Sequence, residues 1–222
     1  MEILKLSPVY KDYLWGGELL KTKYGKNTDM TPLAESWELS CHKDGRSTIV
    51  GGEYDGVTLE DYLAKHPEAL GDRGRTELPI LIKLIDASDR LSVQVHPDDA
   101  MAKALEGQNG KTEMWYVVEA QKDATIVYGV KEDTTSEALA GAIREKRLEE
   151  LLDTVPSKKG DVFFVEAGTI HAIGRGNLIA EIQQNSNVTY RLYDYGRVGK
   201  DGKERELHIE KGAVLWQSPI YR

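Results

Sequence analysis

Leu91-Ser-Val-Gln-Val-His-Pro-Asp98 is the stretch on which the fold turns. Read as a β-strand, it puts Ser92, Gln94 and His96 on one face and Leu91, Val93 and Val95 on the other, because side chains alternate along a strand. The apolar face suits a barrel wall. The polar face aims an imidazole and an amide at one small region inside. Two other segments offer matching donors. Lys111-Thr-Glu-Met-Trp-Tyr116 places a carboxylate, Glu113, at the head of a strand, and Gly168-Thr-Ile-His-Ala-Ile-Gly174 carries a second imidazole, His171. Two imidazole nitrogens with a carboxylate and an amide oxygen suit Zn²⁺ or a similar divalent ion, with a position left for water or substrate.

Outward from that stretch, the pattern is mostly β. Glu35-Ser-Trp-Glu-Leu-Ser40 alternates as a strand, and Ile80-Leu-Ile-Lys-Leu-Ile85 reads as a buried one. Residues 113–118 and 125–130 pair across the turn Gln121-Lys-Asp123. Further strands follow the turn Lys158-Lys-Gly-Asp161, at 162–165, through His171, at 178–184 and at 190–195. Helices are fewer. Thr58-Leu-Glu-Asp61 is a capping box that opens a helix near 58–66. Residues 99–105 form a short helix ended by Gly107. Thr134-Thr-Ser-Glu137 opens a helical region to about 153, with Leu139, Ile143, Leu148, Leu151 and Leu152 on its apolar side. The tail from 207 to 215 is also read as helical. Many short strands divided by turns predict a mainly β sandwich or barrel with a small helical insert. A jelly-roll or cupin barrel can hold a metal between facing strands. The whole chain, 1–222, is read as one such domain.

Composition narrows the function. The chain has 222 residues, 40% of them hydrophobic, enough for a real core. No apolar run approaches a membrane span, and the first residues lack the basic and apolar regions of a signal peptide. The single cysteine, Cys41, cannot form an internal disulfide, which fits a cytoplasmic setting. The formal charge of −8 argues against a nucleic-acid surface. It leaves room for a small phosphorylated ligand, which needs only a few local cations such as Lys83, Lys111 and Arg191.

Several blocks in order resemble the type I mannose-6-phosphate isomerases. They are Trp15-Gly-Gly17, Glu35-Ser-Trp37, Ser40-Cys-His-Lys-Asp-Gly45, Gln94-Val-His-Pro-Asp98, Lys111-Thr-Glu113, Ala167-Gly-Thr-Ile-His-Ala172 and the stretch from Glu181 to Arg191. The resemblance implies a cupin fold and one zinc ion per chain, held by Gln94, His96, Glu113 and His171. It implies that Arg191 lies in the active site, with Lys111 and Glu181 near the reacting sugar. Glu166 stands where a proline commonly precedes Ala-Gly-Thr, and Lys43 follows His42 where a proline is frequent. The family usually carries a further C-terminal β-domain, so this chain looks like a short or truncated form, working as a monomer or homodimer.

Aldose–ketose interconversion needs a base for a carbon-bound proton and a positive group near the oxygen that gains charge. Glu181 or Lys111 is the candidate base, and Arg191 is the candidate stabiliser of charge. A carboxylate inside a barrel is expected to have a raised pKa, which would suit Glu181 to that role. Ser92 shares the ligand face and Lys83 is a lone charge in an apolar strand, so both are candidate substrate contacts. Trp15 is a third, although packing is its plainer role. An isolated His is by default a core residue satisfied by a hydrogen bond. His42, His66 and His208 keep that reading, whereas His96 and His171 come with Gln94 and Glu113. Arg191 paired only with Asp194, and Glu181 serving only as a buried ion-pair partner, are the plainer alternatives. The rival functions are a non-catalytic sugar-phosphate-binding cupin and another metal-dependent cupin enzyme.

Overall fold

The computed structural model describes residues 3–71, 77–199 and 201–215. Its sheet strands are Val9–Lys11 (β1), Glu35–Leu39 (β2), Ile80–Ala87 (β3), Val93–Val95 (β4), Glu113–Ala120 (β5), Thr125–Val130 (β6), Leu152–Pro156 (β7), Val162–Val165 (β8), His171–Ile173 (β9), Asn177–Gln184 (β10) and Tyr190–Tyr193 (β11). A six-stranded sheet runs β8-β5-β10-β3-β2-β1, and a five-stranded sheet runs β7-β6-β9-β4-β11. The neighbouring strands in both sheets are antiparallel. Trp115, Ile85 and Ile179 of the larger sheet share a buried cluster with Ile126 and Ile173 of the smaller, so the two pack face to face. This is the mainly β jelly-roll architecture that the alternation predicts.

The outer face of the smaller sheet is also apolar and is covered by helices. Val93, Val95 and Leu192 pack against Leu139 and Ile143 of the helix Ser136–Arg144, and against Leu215 of the helix Ile209–Leu215. Each fully buried aliphatic side chain there contributes roughly 1.5–3 kcal/mol. The alternation of Ser92-Val-Gln-Val-His96 therefore serves two environments: polar groups face the interior and valines face the helices.

Local chemistry explains most element ends. The helix Leu59–Lys65 is capped by Thr58, whose hydroxyl accepts from the Asp61 N–H at 3.1 Å. The helix Asp99–Glu106 stops at Gly107 in the left-handed region, φ 64°. Three expectations need correction. The cap at the helical insert is Thr135, not Thr134: its hydroxyl accepts from the Ala138 N–H at 3.2 Å. The helical region does not reach 153. A 3₁₀ turn covers Leu148–Leu151, and Leu152 opens β7, which pairs with β6. Leucines at helical spacing fill the same cluster from a helix, a turn and a strand. Finally, β11 ends at Tyr193, and Tyr195 adopts φ 58°, which no strand allows.

Gly174 lets β9 leave the sheet. Its N–H donates to the Thr125 carbonyl at 3.0 Å, and a Cβ built on it would lie 2.2 Å from that oxygen. Gly174→Ala is expected to destabilise the fold by about 1–3 kcal/mol. An unchanged midpoint in urea would rule out that account.

Candidate metal centre and active site

Strand pairing sets the site out in rows. On the smaller sheet, Gln94 of β4 pairs with His171 of β9 on one side and Arg191 of β11 on the other. On the larger sheet, Trp37, Lys83, Glu181 and Trp115 stand in one cross-strand row, from β2 through β3 and β10 to β5. Glu113 lies two residues before Trp115 and so on the same face. His96 follows β4 directly. Imidazoles and amide thus come from one sheet, and carboxylates and lysines from the other.

The donors converge. His96 Nε2 lies 3.5 Å from Glu113 Oε2, and His171 Nε2 lies 3.3 Å from Oε1. One ligand atom from each of these three buried residues lies within 4.8 Å of the others. The opposite ring nitrogens are tied down: His96 Nδ1 donates to the Val188 carbonyl and His171 Nδ1 to the Thr169 carbonyl, both at 2.9 Å. Those bonds fix the tautomers and leave both Nε2 lone pairs aimed at the centre. Gln94 Nε2 is 3.4 Å from His171 Nε2. Rotating the amide by half a turn presents Oε1 there instead.

A divalent cation fits these residues. Neither Glu113 oxygen accepts a hydrogen bond of good geometry, although both are fully buried. The positive charge nearest them is the chain's own: Lys111 Nζ lies 2.9 Å from Glu113 Oε2 and 3.1 Å from His96 Nε2. Burial, helped by the Lys111 charge, pushes His96 well below the usual imidazole range, and burial takes His171 down to about 4. Both rings are therefore neutral at pH 7, as ligation requires. Burial and the nearby Glu181 charge push Glu113 up to about 7.

Glu181 departs from expectation. Burial pushes its pKa up, but the charges of Lys111 and Lys83 and the hydrogen bond from Trp115 outweigh it, so the net shift is downward. Trp115 Nε1 donates to Oε2 at 2.8 Å, while Oε1 faces Lys83 at 3.4 Å and accepts no hydrogen bond. Glu181 is thus ionised at neutral pH, with Oε1 held only by the charge of Lys83.

A cavity of about 270 Å³ opens over the centre. Trp15, Lys83, Ser92, Gln94, Lys111, Glu181 and Arg191 line it, so all three candidate substrate contacts and all three candidate catalytic residues face one space. Leu91 lines it too, contrary to its expected outward position, because it precedes β4 and packs with Trp15 and Trp115. Arg191 does not pair with Asp194. Its Nε donates to Ser92 Oγ at 3.3 Å and its Nη1 to the Glu206 carbonyl at 3.0 Å, whereas Asp194 accepts from Arg197 and Arg205. Sequence reasoning missed Glu35, Tyr13, Asn187, Thr189 and Arg205 as lining groups. Glu35 had a signal: it shares a strand face with Trp37, whose Nε1 donates to it at 2.6 Å. A larger open cleft of about 650 Å³ beside His42 and Lys103 holds no cluster of metal-ligating side chains among the described residues, so the smaller cavity is the candidate.

The profile of the phosphomannose isomerase type I catalytic domain matches residues 3–123. The chain belongs to this family. It is 43% identical over 219 residues to mannose-6-phosphate isomerase ManA of Bacillus subtilis (strain 168), covering 98% of this chain and 69% of that protein. Against the mannose-6-phosphate isomerase of Streptococcus mutans it is 43% identical over 198 residues, covering 89% of this chain and 62% of that one. The crystal structure of the mannose 6-phosphate isomerase from Bacillus subtilis superposes with a TM-score of 0.93 at 37% identity, over 98% of this chain and 69% of that chain. The chain thus spans about two thirds of the length of these type I relatives. Among the described residues no helix is long and apolar enough to cross a membrane.

Because a metal binds only the ionised carboxylate, Glu113 makes binding compete with a proton. Zinc affinity of the stripped protein is expected to fall about ten-fold per pH unit below 7, while His171 stays neutral until the pH nears 4 and His96 is held well below the usual imidazole range. Competition with a chromogenic chelator, corrected for its own protonation, measures this. A flat affinity between pH 7 and 5.5 would contradict the role given to Glu113.

Proposed function

We propose that this chain is a metal-dependent isomerase that interconverts mannose 6-phosphate and fructose 6-phosphate. One zinc ion per chain is held by Gln94, His96, Glu113 and His171. The observation that carries the reading is the convergence of the His96, Glu113 and His171 donors against Gln94 and Lys111, which line one cavity together with Glu181 and Arg191. Membership of an isomerase family supports it. The reading includes one catalytic domain over 1–222, acting in the cytoplasm as a monomer or homodimer.

When bound, the zinc ion supplies Lewis acidity to the sugar oxygens. The remaining steps belong to the chain. The cavity is small for a ligand site and suits one compact molecule. Glu181 moves the proton between C1 and C2: it is ionised, and Oε1 has no competing hydrogen bond. Trp115 holds the other oxygen and so aims Oε1. Arg191 faces the negative charge that develops in the enediol-type intermediate, with Ser92 fixing its guanidinium. Lys111 stands beside Glu113, close enough to meet a sugar oxygen near the metal. Lys83 and Trp15 complete the walls, and Lys83 also keeps Glu181 ionised.

The test is turnover of mannose 6-phosphate by the protein as purified, after chelation and after zinc is restored. Activity should be lost and then recovered. Glu181→Gln should lower kcat about 100-fold or more, and Arg191→Ala about 100-fold, both with zinc content unchanged. A folded, zinc-loaded protein without turnover would be a sugar-phosphate binder instead. Near-normal turnover in both variants would remove Glu181 and Arg191 from the mechanism.

A further inference from the structure

Arg191 sits on β11, the edge strand of the smaller sheet. Edge strands leave backbone groups unpaired, and they fray more readily than central ones. A guanidinium that must meet a small developing charge tolerates little of that motion. On the open side of β11 lies the segment 206–208. The His208 N–H donates to the Arg191 carbonyl at 2.7 Å, and the Arg191 N–H donates to His208 Nδ1 at 3.2 Å. The carbonyl of Glu206 accepts from the Arg191 guanidinium at 3.0 Å. Backbone and side chain of one residue are thus closed by a single short segment.

We infer that His208 is a positioning residue, whose Nδ1 completes a brace that holds Arg191 in place over the cavity. The brace is itself anchored. The helix Ile209–Leu215 begins on His208, whose carbonyl accepts from the Gly212 N–H at 2.9 Å. Lys211 Nζ reaches Glu106 at 2.7 Å, and the Tyr190 hydroxyl donates to the same carboxylate at 2.8 Å. The Tyr190 ring lies 6.0 Å from the His208 ring. Gly212 lets the helix sit on β11: a Cβ built there would lie 2.1 Å from Leu192 Cδ2, and Leu192 is fully buried. His208 touches no substrate and acts only through Arg191.

The inference rests on the isomerase reading for its kinetic arm alone. His208→Ala removes the acceptor and should lower kcat/KM about ten-fold. His208→Asn, whose Oδ1 can take the place of Nδ1, should recover most of that loss. In the Arg191→Ala background, His208→Ala should change activity by less than about two-fold, since the two act as one unit. Gly212→Ala should weaken turnover without removing any polar group. Independently of turnover, deuterium exchange of the Arg191 amide, followed by NMR on the full chain, should quicken about ten-fold in His208→Ala and return towards the wild-type rate in His208→Asn. Unchanged exchange in His208→Ala overturns the inference. So does a His208→Ala loss that multiplies with that of Arg191→Ala, or an Asn variant as impaired as the Ala variant. A wild-type chain that does not turn over mannose 6-phosphate defeats the isomerase reading, and the exchange arm then decides the role of His208 by itself.

Discussion

The interior of this protein is organised around a buried carboxylate that meets no hydrogen-bond donor of good geometry among the described residues. Glu113 is 1% exposed, and both of its oxygens are buried. Such a group is costly to bury unless positive charge meets it, and no apolar substitute could do its work. The chain answers with Lys111 at 2.9 Å and with two neutral imidazoles whose lone pairs point at the same spot. An arrangement of acceptors around one small volume is what a cation stabilises. The same charge problem explains the neighbours. Glu181 and Glu35 are buried with Lys83 between them, and an indole N–H from Trp115 or Trp37 supports each carboxylate.

Two sheets solve the assembly problem together. A strand face repeats every second residue, so a single strand offers donors too widely spaced to surround an ion. Facing sheets place Gln94, His96 and His171 opposite Glu113. The cross-strand rows keep these groups in register without long loops. Rigidity comes from the outer layers. The valines that alternate with the donors on β4 are locked under the helices, so the same alternation that turns the donors inward anchors them.

Much of this was legible in the sequence. Strand alternation gave the correct face for Ser92, Gln94 and His96. Of the residues that the blocks carry, Lys111, Glu181 and Arg191 line one cavity, and Glu113 and His171 lie behind Lys111 and Gln94. What stayed hidden depends on three-dimensional neighbours. The pKa of Glu181 was expected to rise from burial alone, because Lys83 and Lys111 are distant in sequence. The strand at Leu152 was hidden because leucine spacing cannot distinguish a helix from a turn and strand that fill the same cluster. Glu35 went unused because only pairing between β2 and β3 brings it to 3.7 Å from Lys83.

Charge placement separates the two ends of the cavity. The deep cations are already matched: Lys83 faces Glu35 and Glu181, and Lys111 faces Glu113. At the edge, Arg191 donates to a hydroxyl and a backbone carbonyl, both neutral. Nearby, Arg197 and Arg205 share the carboxylate Asp194, and Arg197 also lies 3.6 Å from Asp89 Oδ2. The charge of Arg191 is therefore left to meet a ligand, on the strand next to Gln94. In the isomerase reading, a sugar oxygen that gains negative charge beside the metal donors would meet that guanidinium. Its position is set by the protein before any ligand arrives, since the hydrogen bonds to Ser92 and Glu206 already hold it.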